Sequence, residues 1–289
     1  MNTLTEKEVC EEAHGLTFLL FEAIENNPQL HKNDNLSKLA EFLKNIKVGC
    51  LDFSQTDFDD GRGFIYSEKD HTFLLNILIL REIFDRASRL SYYADITREE
   101  LRQEVVGLYF FHEAFHMPQG IGNYEDIQLI KEVAGKSQLG EFDTLADFVA
   151  ARGLAAVITH CHDGDAVYFH KVLYETLYKS YNIGLRAFNF SPGDTHKIER
   201  ALSIFLVRRR ILKNLSAMTL SKETALGLHV RYAAESGKLL VFTLENTPAK
   251  KLLFVLQMQQ SVVEKLQSAV AFGNVKFIED LLEKQLKAA

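Results

Sequence analysis

Phe111-His112-Glu113-Ala114-Phe115-His116 is the stretch on which the reading of this chain turns. On a helix, two histidines four residues apart project from one face a single turn apart, so both imidazoles can reach one metal ion. Glu113, between them, sits where a carboxylate can accept a proton from water on that metal. The residues around it favour a buried helix: Val105, Val106, Leu108, Phe110 and Phe111 supply apolar surface, and histidines on a buried helix need partners. Thr97 with Glu100 three residues later reads as a capping box, and Pro118, Gly120 and Gly122 read as a stop. The spacing therefore predicts a helix over Asp95–Met117.

A zinc site of this kind needs a third protein ligand, with a fourth position left open. Downstream, Asp143-Thr144-Leu145-Ala146-Asp147 places two carboxylates four residues apart, on one face of a helix predicted over Glu141–His160. One of them can bind the metal while the other accepts the outer N–H of a ligating histidine. Glu141 and Glu125 are the alternative acids. The polar cluster Thr159-His160-Cys161-His162-Asp163-Gly164-Asp165 follows shortly after. His162 is the candidate taken from it to stabilise the oxyanion of a tetrahedral intermediate. His170, Tyr168 and Tyr174 compete for that role, and a plain helix-terminating loop is the simpler reading of the cluster.

HEAFH followed by DTLADFVAAR resembles the gluzincin pattern, HExxH followed by ExxAD with small residues after it, seen in HtpX-type and more loosely in ImmA/IrrE-type peptidases. The resemblance covers Thr97–Gly153, about a fifth of the chain. It implies a zincin-like fold, Zn²⁺ as cofactor, His112 and His116 as metal ligands and Glu113 as the catalytic base. It also implies Asp143 as third ligand and Asp147 as the residue that orients a ligating histidine. This chain has Asp where that family has Glu, one methylene shorter, so its helix must approach the metal more closely or another acid must substitute. The metzincin continuation fails, because Gln119 stands where Gly is required and Gly122 where the third His belongs. The aspzincin motif is absent as well.

Composition narrows the remaining classes. The 289 residues carry 33 Lys+Arg against 39 Asp+Glu, a net charge of -6, which argues against a nucleic-acid-coating protein. The basic run Arg208-Arg209-Arg210 with Lys213 lacks interleaved aromatics and reads as a solvated or acid-paired helix face. Three widely spaced cysteines, Cys10, Cys50 and Cys161, with no CxxC pair, point away from a disulfide scaffold or a cysteine-type zinc site. The first residues, MNTLTEKEVCEEAHG, lack the layout of a signal peptide. No apolar run approaches the roughly 18–20 residues of a membrane span. A soluble cytoplasmic protein, with no membrane and no nucleic-acid partner, is the expectation.

Twenty-one Phe, no Trp and only four Pro favour an aromatic-rich core and long helices. Helical spacing recurs over Glu6–Ile24, Leu36–Ile46, His71–Ser88, Ala166–Ala187 and Thr195–Leu215, although the start of His71–Ser88 is also compatible with a strand. Val48–Phe53 and Gly63–Tyr66 are short and β-like, as are Gly227–Tyr232, Lys238–Leu244 and Leu252–Leu256. The expected architecture is α+β and predominantly helical. A zincin-like domain spans residues 1–190, and a C-terminal domain of a helix and a small sheet, 191–289, offers a surface for a protein partner. The expected activity is zinc-dependent hydrolysis of a peptide bond in a protein or peptide substrate, with Gly63–Tyr66 as an edge strand to align it. The rival expectation is a non-catalytic zincin-like scaffold used as a regulatory or interaction module.

Overall fold

The structure, a computed structural model, describes residues 3–27, 30, 33–55, 63–90, 93, 95–120, 135–186 and 195–218. The chain divides into two compact units, Met1–Phe188 and Asn189–Ala289. The described residues are mostly helical with one small sheet.

Unit one opens with α1 (Glu6–Asn26) and α2 (Asp34–Leu43). Thr5 begins α1 with a capping box to Glu8, and Asn33 caps α2 by accepting from the Leu36 N–H. The sheet follows, with β1 (Lys47–Leu51), β2 (Phe64–Ser67) and β3 (Thr72–Asn76) in the order β1-β3-β2. β3 lies in the middle, parallel to β1 and antiparallel to β2, with Val48 opposite Phe73 and Tyr66 opposite Phe73.

This sheet corrects the expected helix over His71–Ser88. Its first five residues after His71 form the central strand, because both edges of Thr72–Asn76 are occupied by hydrogen-bonded neighbours. The helix α3 begins only at Ile77 and runs to Ser88, with the Asn76 side chain capping it through the Leu78 N–H. An apolar run of this length fits a buried strand as well as a buried helix, and pairing partners in other segments decide between them.

α4 (Arg98–His116) is the centre of the unit. Thr97 and Glu100 form the reciprocal capping box, with the Thr97 N–H donating to Glu100 Oε2 at 2.8 Å. The helix packs against α1, α2, α3 and α5 (Gly135–Cys161). Its residues Glu104–Phe111 are buried, as are Ala114–His116. Glu104 is paired with Lys179 of α6 (Ala166–Tyr181), and burial, the largest influence on it, raises its pKa.

α5 lies directly along α4. A Cβ at Gly153 would sit 3.1 Å from the Phe111 ring, so the absence of a side chain there lets the two helices approach. This helix starts earlier than the predicted Glu141. α6 gives way after Tyr181 to a π-helical turn, Asn182–Arg186, where the sequence predicted helix to Ala187.

In unit two, α7 (Thr195–Ala217) is described. Arg208 is buried and Arg210 exposed, so the basic run is not one uniformly solvated face. The three predicted C-terminal strands lie outside the described residues. No helix among the described residues is long and apolar enough to cross a membrane.

Candidate functional site

His112 and His116 occupy the last turn and a half of α4, and Asp143 and Asp147 lie on the neighbouring α5. Close packing of those two helices brings the four side chains together. His112 Nε2 and His116 Nε2 are 3.3 Å apart. Asp143 Oδ1 lies 3.4 Å from His116 Nε2 and 3.9 Å from His112 Nε2. Asp147 faces the other side of the first ring, its Oδ1 3.0 Å from His112 Nδ1.

The outer nitrogens fix the chemistry of the inner ones. An ionised Asp147 carboxylate can only accept, so His112 Nδ1 carries a proton and donates it. Gln119 does the same for the second ring. Its Nε2 donates to the Phe142 carbonyl at 3.0 Å, which leaves Oε1 facing His116 Nδ1 at 2.8 Å as an acceptor. With both protons held on Nδ1, neutral imidazoles present two Nε2 lone pairs to each other and to the Asp143 carboxylate. Three groups that carry electron pairs converge there, and like lone pairs repel. A cation between them, or a proton on one ring, resolves that repulsion.

The donor set suits a metal. Bonds of about 2.0–2.1 Å at tetrahedral angles separate ligand atoms by roughly 3.3–3.4 Å, and two of the three separations here are 3.3 and 3.4 Å. His112, His116 and Asp143 form a group that could hold a metal ion, their donor atoms all within 4.8 Å of one another. Two imidazoles and one carboxylate favour a borderline transition metal over calcium or magnesium, which take oxygen. Burial is graded across the group: the Asp147 side chain is 5% exposed and Asp143 25%. The group is therefore more buried on the Asp147 side and more open on the Asp143 side.

Glu113 is placed by the sheet. Its carboxyl packs on the backbone of Gly63, where a Cβ would lie 2.6–2.8 Å from the three carboxyl atoms. Gly63 is itself pinned through its carbonyl, which accepts from the Tyr109 hydroxyl at 2.9 Å and from the Asn76 N–H at 3.0 Å. Burial pushes the Tyr109 phenol well above its ordinary pKa, and the nearby Glu113 charge adds to the effect, so the hydroxyl stays protonated as a donor. One residue on, Phe64 stacks on the His116 ring with centroids 6.4 Å apart and planes 15° from parallel. The start of β2 thus touches both the general-base candidate and one of the histidines. β2 is an outer strand of the sheet, and among the described residues no strand pairs with its other edge.

The structure does not bring His162 to this group. It lies just beyond the C-terminal end of α5, and 19 residues at 1.5 Å each put it roughly 28 Å along the axis from Asp143. There its ring meets Tyr168. His160 lies near Glu22 of α1, and His170 Nδ1 bonds the Ala166 carbonyl within α6. Glu125 and the Glu141 side chain lie outside the described residues.

Gln119, Gly63 and Tyr109 are the neighbours of this group that sequence reasoning missed. An amide three residues past His116 is a local signal that could have suggested Gln119. Gly63 is 46 residues from Tyr109, and no spacing rule connects them. No family model, curated protein or solved structure matches the chain.

Proposed function

We propose that this protein is a zinc-dependent peptidase of the HExxH type, related in its site to the gluzincins. The observation that supports this most is the convergence of His112, His116 and Asp143, with Glu113 in the turn between the histidines. His112, His116 and Asp143 would hold the zinc. When bound, zinc supplies Lewis acidity, making a water molecule more acidic and polarising a substrate carbonyl. Asp147 and Gln119 keep the Nδ1 protons in place, so each ring turns its Nε2 toward Asp143. Glu113 takes the proton of the attacking water and returns it to the leaving amine, which calls for a carboxylate and not an amide. The outer edge of β2 offers backbone N–H and C=O groups to an extended peptide beside Glu113.

Metal analysis of the purified protein tests the reading first. About one zinc per chain is expected, lost in His116→Ala; a protein that stays metal-free after growth with added zinc would overturn it. Glu113→Gln should keep both fold and zinc yet abolish cleavage of peptides from a denatured-proteome digest read by mass spectrometry. Wild-type cleavage by that variant would refute Glu113 as the base. A zinc-loaded wild type that cleaves nothing in that digest would favour the scaffold reading.

A further inference from the structure

We infer that Gln119 is a positioning residue with two arms, which sets the site from both of its helices at once. This rests on the reading of His112, His116 and Asp143 as a metal site. One arm, Oε1, accepts the Nδ1 proton of His116, the last residue of α4. The other, Nε2, donates to the carbonyl of Phe142, the residue before Asp143 on α5.

The backbone of Gln119 is anchored to α4. Its N–H donates to the Phe115 and His116 carbonyls at 3.3 and 3.1 Å, and the Gly120 N–H bonds the Met117 carbonyl at 2.9 Å. From that fixed base a planar amide reaches across to α5. A peptide carbonyl has two lone pairs, so the bond to Phe142 adds to the helix's own hydrogen bonding without replacing it. Because donor and acceptor belong to one rigid plane, the His116 ring and the Phe142 carbonyl cannot shift independently. One side chain thereby links the His116 ring to the residue before Asp143, whose Oδ1 lies 3.4 Å from His116 Nε2.

The residue type follows from this geometry. A carboxylate accepts but cannot donate, an ammonium donates but cannot accept, and Asn does both with one methylene less reach. His112 needs no such device, because Asp147 already lies on the same helix as Asp143.

The test uses apo protein labelled with ¹⁵N-histidine, together with zinc titration against a chromophoric chelator. In the wild type the His116 ring should show the Nδ1–H tautomer. In Gln119→Ala it should become a mixture, with His112 unchanged, and zinc affinity should fall by about 10–100-fold. An unaltered His116 tautomer, or zinc affinity within twofold of wild type, would overturn the first arm. Gln119→Glu keeps the acceptor for His116 but sets a carboxylate against the Phe142 carbonyl. It should retain the tautomer and still lose at least threefold in affinity; wild-type affinity there would overturn the second arm. His116→Ala separates the two readings. Loss of zinc in His116→Ala with none in Gln119→Ala sinks this inference alone, whereas wild-type zinc affinity in His116→Ala sinks the metal site itself.

Discussion

Replacing Gly63 by alanine tests the placement of the proposed general base without touching a proposed metal ligand. The new Cβ would stand 2.6 Å from Glu113 Oε1, 2.7 Å from Cδ and 2.8 Å from Oε2. Ordinary contact begins near 3.4 Å, so the carboxyl must retreat by about 0.6–0.8 Å. Gly63 cannot retreat instead, because its carbonyl is held by both Tyr109 and Asn76. The atoms that give way are the far end of a flexible side chain, so the fold should lose no more than about 0.5 kcal/mol. Catalysis is less forgiving, since a misplacement of about 1 Å can cost roughly 100-fold. We expect kcat/KM to fall by about 10–100-fold on the best-cleaved peptide, with zinc content and the thermal midpoint near wild type. Wild-type kcat/KM in a fully zinc-loaded Gly63→Ala protein would show that the position of the Glu113 carboxyl does not depend on the space at Gly63. A variant that unfolds or loses its zinc would refute the reasoning as well, because the steric push would then not be confined to Glu113.

The two aspartates should separate in zinc titrations. Asp143→Ala should lose most of the metal, since two histidines alone bind it poorly, whereas Asp147→Ala should weaken affinity by about 10–100-fold and still fill at saturation; the reverse ranking would exchange their roles. Away from the site, the Arg98 guanidinium beside Glu8 is the largest influence lowering that carboxyl from 4.5 to about 2. A depressed folded-state pKa contributes stability that is present above the unfolded value, near 4.5, and lost as the pH falls towards 2. Arg98→Ala should therefore lower the thermal midpoint at pH 6 and converge on wild type near pH 2; a pH-independent difference would show that the pair contributes through packing alone.

Much of α4 was legible because its signals are local. Thr97 and Glu100 start the helix, the turn at Met117–Gly120 ends it, and the i, i+4 spacing puts both histidines on one face whatever surrounds them. The spacing of Asp143 and Asp147 likewise places both carboxylates on one face of α5. Spacing is silent on which ring and which nitrogen each would meet. The packing of α5 on α4, close at Gly153, sets Asp147 on His112 Nδ1 and Asp143 beside the two Nε2 atoms. His162 misled for the complementary reason: nearness in sequence to Asp143 becomes distance in space once a straight helix intervenes. The strand within His71–Ser88 was likewise undecidable locally, because Thr72–Asn76 becomes a strand through partners at Lys47–Leu51 and Phe64–Ser67. Periodicity and capping are properties of a few neighbouring residues, so the sequence alone determined the helix that carries the histidines. The contact of Gly63 with Glu113 and the reach of Gln119 to Phe142 join separate segments, and only tertiary packing decides which segments meet.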